Sequence, residues 1–257
     1  MELSLATQRT AVVTGAGSAR GIGRATARRY AREGWAVVVA DLDGAAAQDA
    51  ARSIHAEYQV PVLAQQVDVA SVESVDALHA AVGAADLPPV GAVAAIAGIP
   101  SPVPILEVTP ELWDRVFAVN STGTFLAVKA FLPDMIAGGY GRVVTMSSVS
   151  AQQGGGVFSK TPYSAAKAAI LGFTRSLARE MAPYGITCNA ISPGAADTDI
   201  RAGATDDERE AALSASIPLG RQATPDDIAA LIVFLSSEDA GYITGTTQNI
   251  NGGAYIA

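Results

Sequence analysis

The sequence predicts an α/β fold: one doubly wound, parallel, seven-stranded sheet with helices on both faces. Three observations predict it. Short β-branched runs alternate with helical stretches of about 10–15 residues, the rhythm of parallel βαβ units. The runs are apolar on both alternating faces, as in TAVVT at 10–14 and AVVVA at 36–40, which suits strands covered from two sides. Of 257 residues, 49% are hydrophobic and 16% charged, a globular balance far from that of a disordered chain.

Taken in order, Thr10–Thr14 reads as a first buried strand. Gly21–Glu33 reads as a helix ended by Gly34, and Ala36–Ala40 as a second strand. A helix follows over Gly44–Ala56, then an extended run over Val60–Val67. Ser71 caps a helix running to Ala84. Val90–Ala95 is the fourth strand. Thr109-Pro110-Glu111 opens a helix, with Thr as N-cap and Pro in the first turn. Arg142–Met146 is the fifth strand, Pro162 opens a long helix to about Ala182, and Ile186–Ile191 is the sixth. Thr224-Pro225 starts the last helix and Thr246–Ile250 forms the last strand. No repeat or linker interrupts this pattern, so residues 1–257 read as one domain. Its one long excursion, at about 195–218, reads as a mobile flap carrying a short helix, of the kind that closes over a ligand.

Composition excludes several functions. With 17 Lys plus Arg against 25 Asp plus Glu, the net charge is −8. Such a chain repels nucleic-acid backbones and anionic membranes on average. Cys188 is the single cysteine, so there is no disulfide framework. His55 and His79 are the two histidines, and both fall on polar-faced helical stretches. A metal site and a Ser-His-Asp hydrolase are therefore not expected. The start, Met1-Glu2-Leu3-Ser4-Leu5, lacks the basic and apolar regions of a signal peptide, and the apolar run Val90–Ile99 is about half a membrane span. The expectation is a cytoplasmic protein.

Between the first strand and the first helix lies Thr14-Gly15-Ala16-Gly17-Ser18-Ala19-Arg20-Gly21-Ile22-Gly23. Glycines let the backbone turn sharply and approach a pyrophosphate, and the helix N-terminus offers free N–H groups. The placement after a strand and before a helix is what a dinucleotide site requires. Asp41 directly follows the second strand, where a carboxylate accepts from a ribose 2′- and 3′-hydroxyl pair and repels a 2′-phosphate. NAD is expected on that ground. Arg20 argues for NADP instead, since a base beside the turn suits a 2′-phosphate. The plain alternative for Asp41 is a turn or cap residue.

Tyr163-Ser164-Ala165-Ala166-Lys167 forms a YxxxK motif. Ser147-Ser148 precede it at the end of the fifth strand, and Asn120 stands in Val119-Asn120-Ser121-Thr122-Gly123. Asn189-Ala190-Ile191-Ser192-Pro193-Gly194 and Asn251-Gly252-Gly253 follow. In this order the motifs resemble the classical short-chain dehydrogenase/reductase family over nearly the whole chain, in particular its 3-oxoacyl-ACP-reductase-like and NAD-dependent alcohol dehydrogenase members. The resemblance implies a single Rossmann-type domain and hydride exchange between NAD, with NADP the alternative, and a small secondary alcohol or ketone. The catalytic set it implies is Asn120, Ser148, Tyr163 and Lys167.

The chemistry is consistent with that set. Residues 163 and 167 share a helix face. A free tyrosine hydroxyl has a pKa near ~10. A lysine ammonium and the positive nicotinamide ring would lower it and make Tyr163 an acid/base at neutral pH. Ser148 would hold the substrate oxygen, although Ser147 is a rival for that role. By resemblance, Lys167 also grips the nicotinamide ribose, and Asn120 positions a relaying water.

Cofactor contacts are expected at Gly15, Gly17, Ser18, Arg20, Gly21 and Ile22 in the turn, and at Asp41 and Leu42 after the second strand. The resemblance adds Asp68 and Val69 beside the adenine, Ala97 and Gly98 after the fourth strand, and Pro193, Gly194, Ala196 and Thr198 after the sixth, together with Tyr163 and Lys167. Asp68 also reads as a plain loop cap. Substrate contacts are expected at Ser148, Ser150, Gln152, Phe158, Tyr163 and Ala195.

Three features depart from the family pattern. Five residues separate Gly15 from Gly21 where three are usual. Ala95-Ile96-Ala97-Gly98 replaces the usual Asn-Asn-Ala-Gly. The loop from Ser148 to Tyr163 is about two residues longer than is common in the family. Family reductases that use an acidic acyl carrier protein dock it with basic residues just before the fifth and sixth strands. Here those places hold Gly138-Gly139-Tyr140 and Tyr184-Gly185, which with the net charge disfavours such a carrier. An NADPH-dependent 3-oxoacyl-ACP reductase is the alternative activity, and a silent NAD sensor a third. The resemblance also implies a homotetramer, with a dimer the alternative, and the apolar end Ala254-Tyr255-Ile256-Ala257 suits burial there.

Overall fold

The structure is a computed structural model that describes residues 9–156, 159–201 and 206–256. Seven parallel strands form one sheet in the order β3-β2-β1-β4-β5-β6-β7. They are β1 (Thr10–Thr14), β2 (Ala36–Asp41), β3 (Val62–Gln66), β4 (Val90–Ala95), β5 (Gly141–Met146), β6 (Ile186–Pro193) and β7 (Thr247–Ile250). The order reverses between β1 and β4, so a crevice opens there at the carboxyl ends of the strands.

Helices cover both faces, as the doubly apolar strands require. On one face α1 (Ile22–Arg32), α2 (Gly44–Tyr58) and α9 (Pro225–Leu235) pack over Ala11, Val13, Val37 and Val39. On the other, α3 (Val72–Ala84), α5 (Gly123–Gly138) and α7 (Thr161–Met181) pack over Val12, Val38, Val93 and Val143. Neighbouring strand residues thus alternate between two cores, the geometry of a pleated strand. Side-chain caps set several helix starts: Asp43 on α2, Ser71 on α3 and a Thr224–Asp227 capping box on α9. The glycine turn gives α1 no such cap, because Gly21 has no side chain to offer.

Two elements differ from the sequence reading. The helix opened by Thr109 is α4 (Pro110–Phe117), and a five-residue π-helical turn, Ala118–Thr122, joins it to α5. A four-residue helix, α6 (Ser150–Gln153), follows β5 where the sequence suggested a loop. The stretch 195–218 carries a short 3₁₀ turn, Asp199–Arg201, and α8 (Asp207–Ala215). The run Pro110–Gly138 has the length and mean hydropathy, 1.2, of a membrane span, yet its α5 part packs against β4 and α3 with Phe131 and Met135 fully buried. His79 is paired with Asp134 across α3 and α5 at 2.8 Å, and His55 contacts the Val60 carbonyl.

Candidate active site

A cleft of about 1100 Å³ opens at the carboxyl ends of the strands. Most residues singled out from sequence line it. The glycine turn contributes Gly15, Ser18, Gly21 and Ile22, β2 and its end Asp41 and Leu42, and the end of β3 Asp68 and Val69. Ala97 and Gly98 lie past β4, and Ser148, Ser150, Tyr163 and Lys167 past β5. Pro193, Gly194, Ala195, Ala196 and Thr198 close the far side.

At the end of the cleft formed by β2, Asp41 is held by backbone donors. Its carboxylate accepts from the Gly17 N–H at 2.7 Å and the Asp43 N–H at 3.0 Å. A Cβ on Gly17 would fall 2.8 Å from the Asp41 carboxyl carbon, so glycine there is what brings the loop onto the carboxylate. Gly17 therefore acts behind Asp41 and does not line the cleft. Asp68 serves two ends: it faces the cleft, and its Oδ1 accepts from the Ala70 N–H, the cap that the plain reading expected. Thr14 does part of what the missing asparagines would do. Its Oγ1 accepts from the N–H groups of Ile96 and Ala97 and fixes the floor beside the glycine turn.

Arg20 faces elsewhere. It is exposed and pairs with Asp197 and, at 3.7 Å, with Asp199. It is not among the residues lining the cleft.

At the reacting end, α7 presents Tyr163 and Lys167 one turn apart. Tyr163 and Ser148 line the same cleft. Burial pushes the tyrosine above its ordinary value and the Ser148 side chain opposes this. The protein groups thus raise the tyrosine where the sequence predicts lowering, because burial outweighs the other contributions. Lys167 is 2% exposed, and burial lowers its pKa to about 8. Its Nζ donates to the Met146 carbonyl at 2.9 Å and lies 5.8 Å from the Tyr163 ring centre.

The two serines divide their tasks. Ser147 is buried and its hydroxyl donates to the Lys167 backbone carbonyl at 2.8 Å. Ser148 faces the cleft, as Tyr163 does, and accepts from the Ser150 N–H at 3.1 Å. Asn120 lies beneath the cleft floor, fully buried, in the π turn that joins α4 to α5. Its Nδ2 donates to the carbonyls of Ile99 and Val116, while Oδ1 is buried with no partner. A Cβ on Gly98 would stand 2.6 Å from that Oδ1 and 3.2 Å from Lys167 Nζ. Such π turns commonly mark functional positions.

Two substrate expectations shift. Gln152 does not line the cleft: its Nε2 donates to Asn249 and its Oε1 accepts from Ser192, tying α6 to the ends of β6 and β7. The next residue of α6, Gln153, lines the cleft in its place. Ser150 lines it with its hydroxyl bonded to Ser159 at 2.8 Å. Phe158 falls outside the described residues. Sequence reasoning missed Arg115 of α4 and the α8 side of the cleft, Arg209, Ala212, Leu213, Ser216 and Ile217. The spacing of the last five is an amphipathic helix signal that could have found them. Among the described residues, no group of three or more His, Cys, Asp or Glu could hold a metal.

The family profile described as enoyl-(acyl carrier protein) reductase matches residues 15–255, nearly the whole of this site and sheet. The chain belongs to the classical short-chain dehydrogenase/reductase family. It is 39% identical over 253 residues to a (3R)-3-hydroxyacyl-CoA dehydrogenase of Rattus norvegicus, covering 96% of each chain. It is 37% identical to an acetoacetyl-CoA reductase of Rhizobium meliloti, covering 97% of this chain and 99% of the relative. It is 36% identical to a 3-oxoacyl-[acyl-carrier-protein] reductase of Escherichia coli, covering 96% and 97%. Membership makes this short-chain dehydrogenase/reductase an NAD(P)-dependent oxidoreductase acting on CH–OH groups.

Proposed function

We propose that the protein is a cytoplasmic enzyme that moves a hydride between NAD and a small-molecule secondary alcohol or its ketone, with Tyr163 as general acid/base. The observation that carries this is the convergence of Tyr163 and Lys167, one turn apart on α7, with Ser148 on one cleft. The bound nicotinamide would accept the hydride and bring a positive ring beside Tyr163. In oxidation, Ser148 holds the alcohol oxygen and Tyr163 takes its proton. The partnerless Asn120 Oδ1 offers an acceptor beside Lys167 Nζ, under Gly98. In reduction the same hydroxyl protonates the forming alkoxide.

The residues present fit the dinucleotide. The α1 N-terminus is uncapped at Gly21 and Ile22, which suits a pyrophosphate. Asp41, oriented by two N–H groups, suits a ribose diol and repels a 2′-phosphate. The Arg20 guanidinium is engaged by acidic partners, which removes the main argument for NADP.

The substrate class that the cleft and the relatives favour is a 3-hydroxyacyl thioester of coenzyme A. The wall at Ile99, Leu213 and Ile217 is apolar, and Arg115 and Arg209, both exposed, line the cleft with the positive charge that an anionic carrier favours. The acyl-carrier-protein alternative is disfavoured because residues 138–140 and 184–185 contain no Lys or Arg. Exposed Leu106, Tyr242 and Ile256 support a homotetramer or a dimer; a monomer by light scattering would end that reading.

The test compares NAD and NADP turnover on a short 3-hydroxyacyl-CoA and on a free secondary alcohol of equal chain length. NAD-linked turnover of the thioester at far higher kcat/KM is expected. Preference for NADP overturns the cofactor reading. Tight dinucleotide binding with no turnover of either alcohol would leave a sensor.

A further inference from the structure

The lengthened glycine turn has a second attachment that cofactor binding alone does not require. Its extra length brings Ser18 and Arg20 up to the segment after β6. The Ser18 hydroxyl donates to Asp199 Oδ2 at 2.9 Å and the Arg20 N–H to the same oxygen at 3.3 Å. The Arg20 guanidinium bridges Asp197 and Asp199. Thr198, between these two acids, lines the cleft. On its other side this segment is pinned by backbone bonds: the Ala223 N–H donates to Ala195 and the Asp197 N–H to the Ala223 carbonyl.

We propose that Arg20 is a positioning residue, a clasp that acts through Asp197 and Asp199 to hold the Thr198 segment against the glycine turn, so that a dinucleotide leaves only when the clasp opens. The proposal rests on the reading of this cleft as the dinucleotide site. Three features argue for it. Arg20 is not among the residues lining the cleft that a 2′-phosphate would enter, and its guanidinium is taken up by Asp197 and Asp199. One carboxylate, Asp199, receives both a side-chain and a backbone donor of the turn, so turn and segment are joined at more than a chance surface contact. Ser18, Thr198 and Asp199 all line the cleft, so the joint between turn and segment sits at its wall. The pairs are exposed and therefore weak. That suits a contact that must break in every turnover.

The experiment measures NADH release by stopped-flow fluorescence, together with amide exchange of residues 196–200. It uses wild type, Arg20→Ala, Arg20→Lys, the double variant Asp197→Asn/Asp199→Asn, and the triple combination. Release is expected to quicken on the order of fivefold in Arg20→Ala, the size set by two exposed ion pairs. The acid double variant should match it and the triple should add nothing further. Arg20→Lys should restore most of the effect. High salt should quicken wild type towards the variants and leave the variants unchanged. Amides 196–200 should exchange faster in Arg20→Ala.

Unchanged release overturns the clasp. So does selective loss of NADPH affinity in Arg20→Ala, which would make Arg20 a phosphate reader. Faster NADH association in the acid double variant, with unchanged release, also overturns it, since Asp199 would then be a competitor for phosphate. If wild type binds no dinucleotide, the cofactor reading fails separately. The exchange data then decide the clasp alone, and unaltered exchange ends it.

Discussion

Lys167 Nζ lies 5.8 Å from the Tyr163 ring centre and donates to the Met146 carbonyl at 2.9 Å, so one buried cation is fixed beside the tyrosine ring. Its pKa falls from 10.5 to about 8 because burial disfavours the charge. Between those values the unfolded chain binds the proton and the folded protein does not. Stability therefore rises with pH across that window and is lowest below about 8. Denaturant unfolding of wild type and Lys167→Met at pH 7.5 and 9.5 checks this. The difference between them should move in favour of wild type by roughly 2 kcal/mol on going to pH 9.5. A pH-independent difference would mean that the ammonium is solvated.

The serine pair predicts a clean division between activity and stability. Ser148→Ala removes the cleft hydroxyl proposed to hold the substrate oxygen and should cost about 10²–10³ in kcat, as losing one donor at a developing charge does, with little change in melting. Ser147→Ala removes a buried bond to the Lys167 carbonyl and should cost about 1 kcal/mol of stability. Activity per folded molecule should survive better than in Ser148→Ala. Steady-state kinetics beside thermal unfolding separate the two, and the reverse pattern would exchange their roles.

Gly98→Ala should damage the site from below. The added methyl stands 2.6 Å from Asn120 Oδ1 and 3.2 Å from Lys167 Nζ, so one of these groups must shift. Displacing a catalytic group by about 1 Å can cost on the order of 100-fold in rate. We expect kcat to fall by that order with NADH affinity less affected. A fully active variant would show that the floor yields freely.

Much of this architecture was legible in sequence. The inner strands announced themselves because they are apolar on both faces, the edge strands β3 and β7 followed from their place in the alternation, and caps such as Ser71 and Thr224 marked their helices. Asp41, Ser148, Tyr163 and Lys167 were readable because each stands at the end of a strand or one turn apart on a helix. The π turn at Asn120 was not readable: one extra residue in a helical ring leaves the apolar spacing nearly unchanged. Nor was the direction of Arg20, since loop length does not tell which wall a long side chain meets. The short α6 hid in a glycine-flanked segment, and its rotation moved Gln152 from the cleft to the sheet.

That rotation carries the last prediction. Gln152 bonds Asn249 at 3.0 Å and Ser192 at 2.8 Å, linking α6 to β6 and β7, while its neighbour Gln153 faces the cleft. Gln152→Ala should lower stability by about 1–2 kcal/mol, two hydrogen bonds at their usual net worth. Its KM for the alcohol should stay near that of wild type. Gln153→Ala should change KM and leave the melting temperature almost untouched, because no partner of its side chain holds the sheet. Measuring both variants for KM and unfolding tests the placement directly. If Gln152→Ala shifts KM and spares stability, the four-residue helix is turned the other way, and Gln152 returns to the substrate wall where its sequence position first put it.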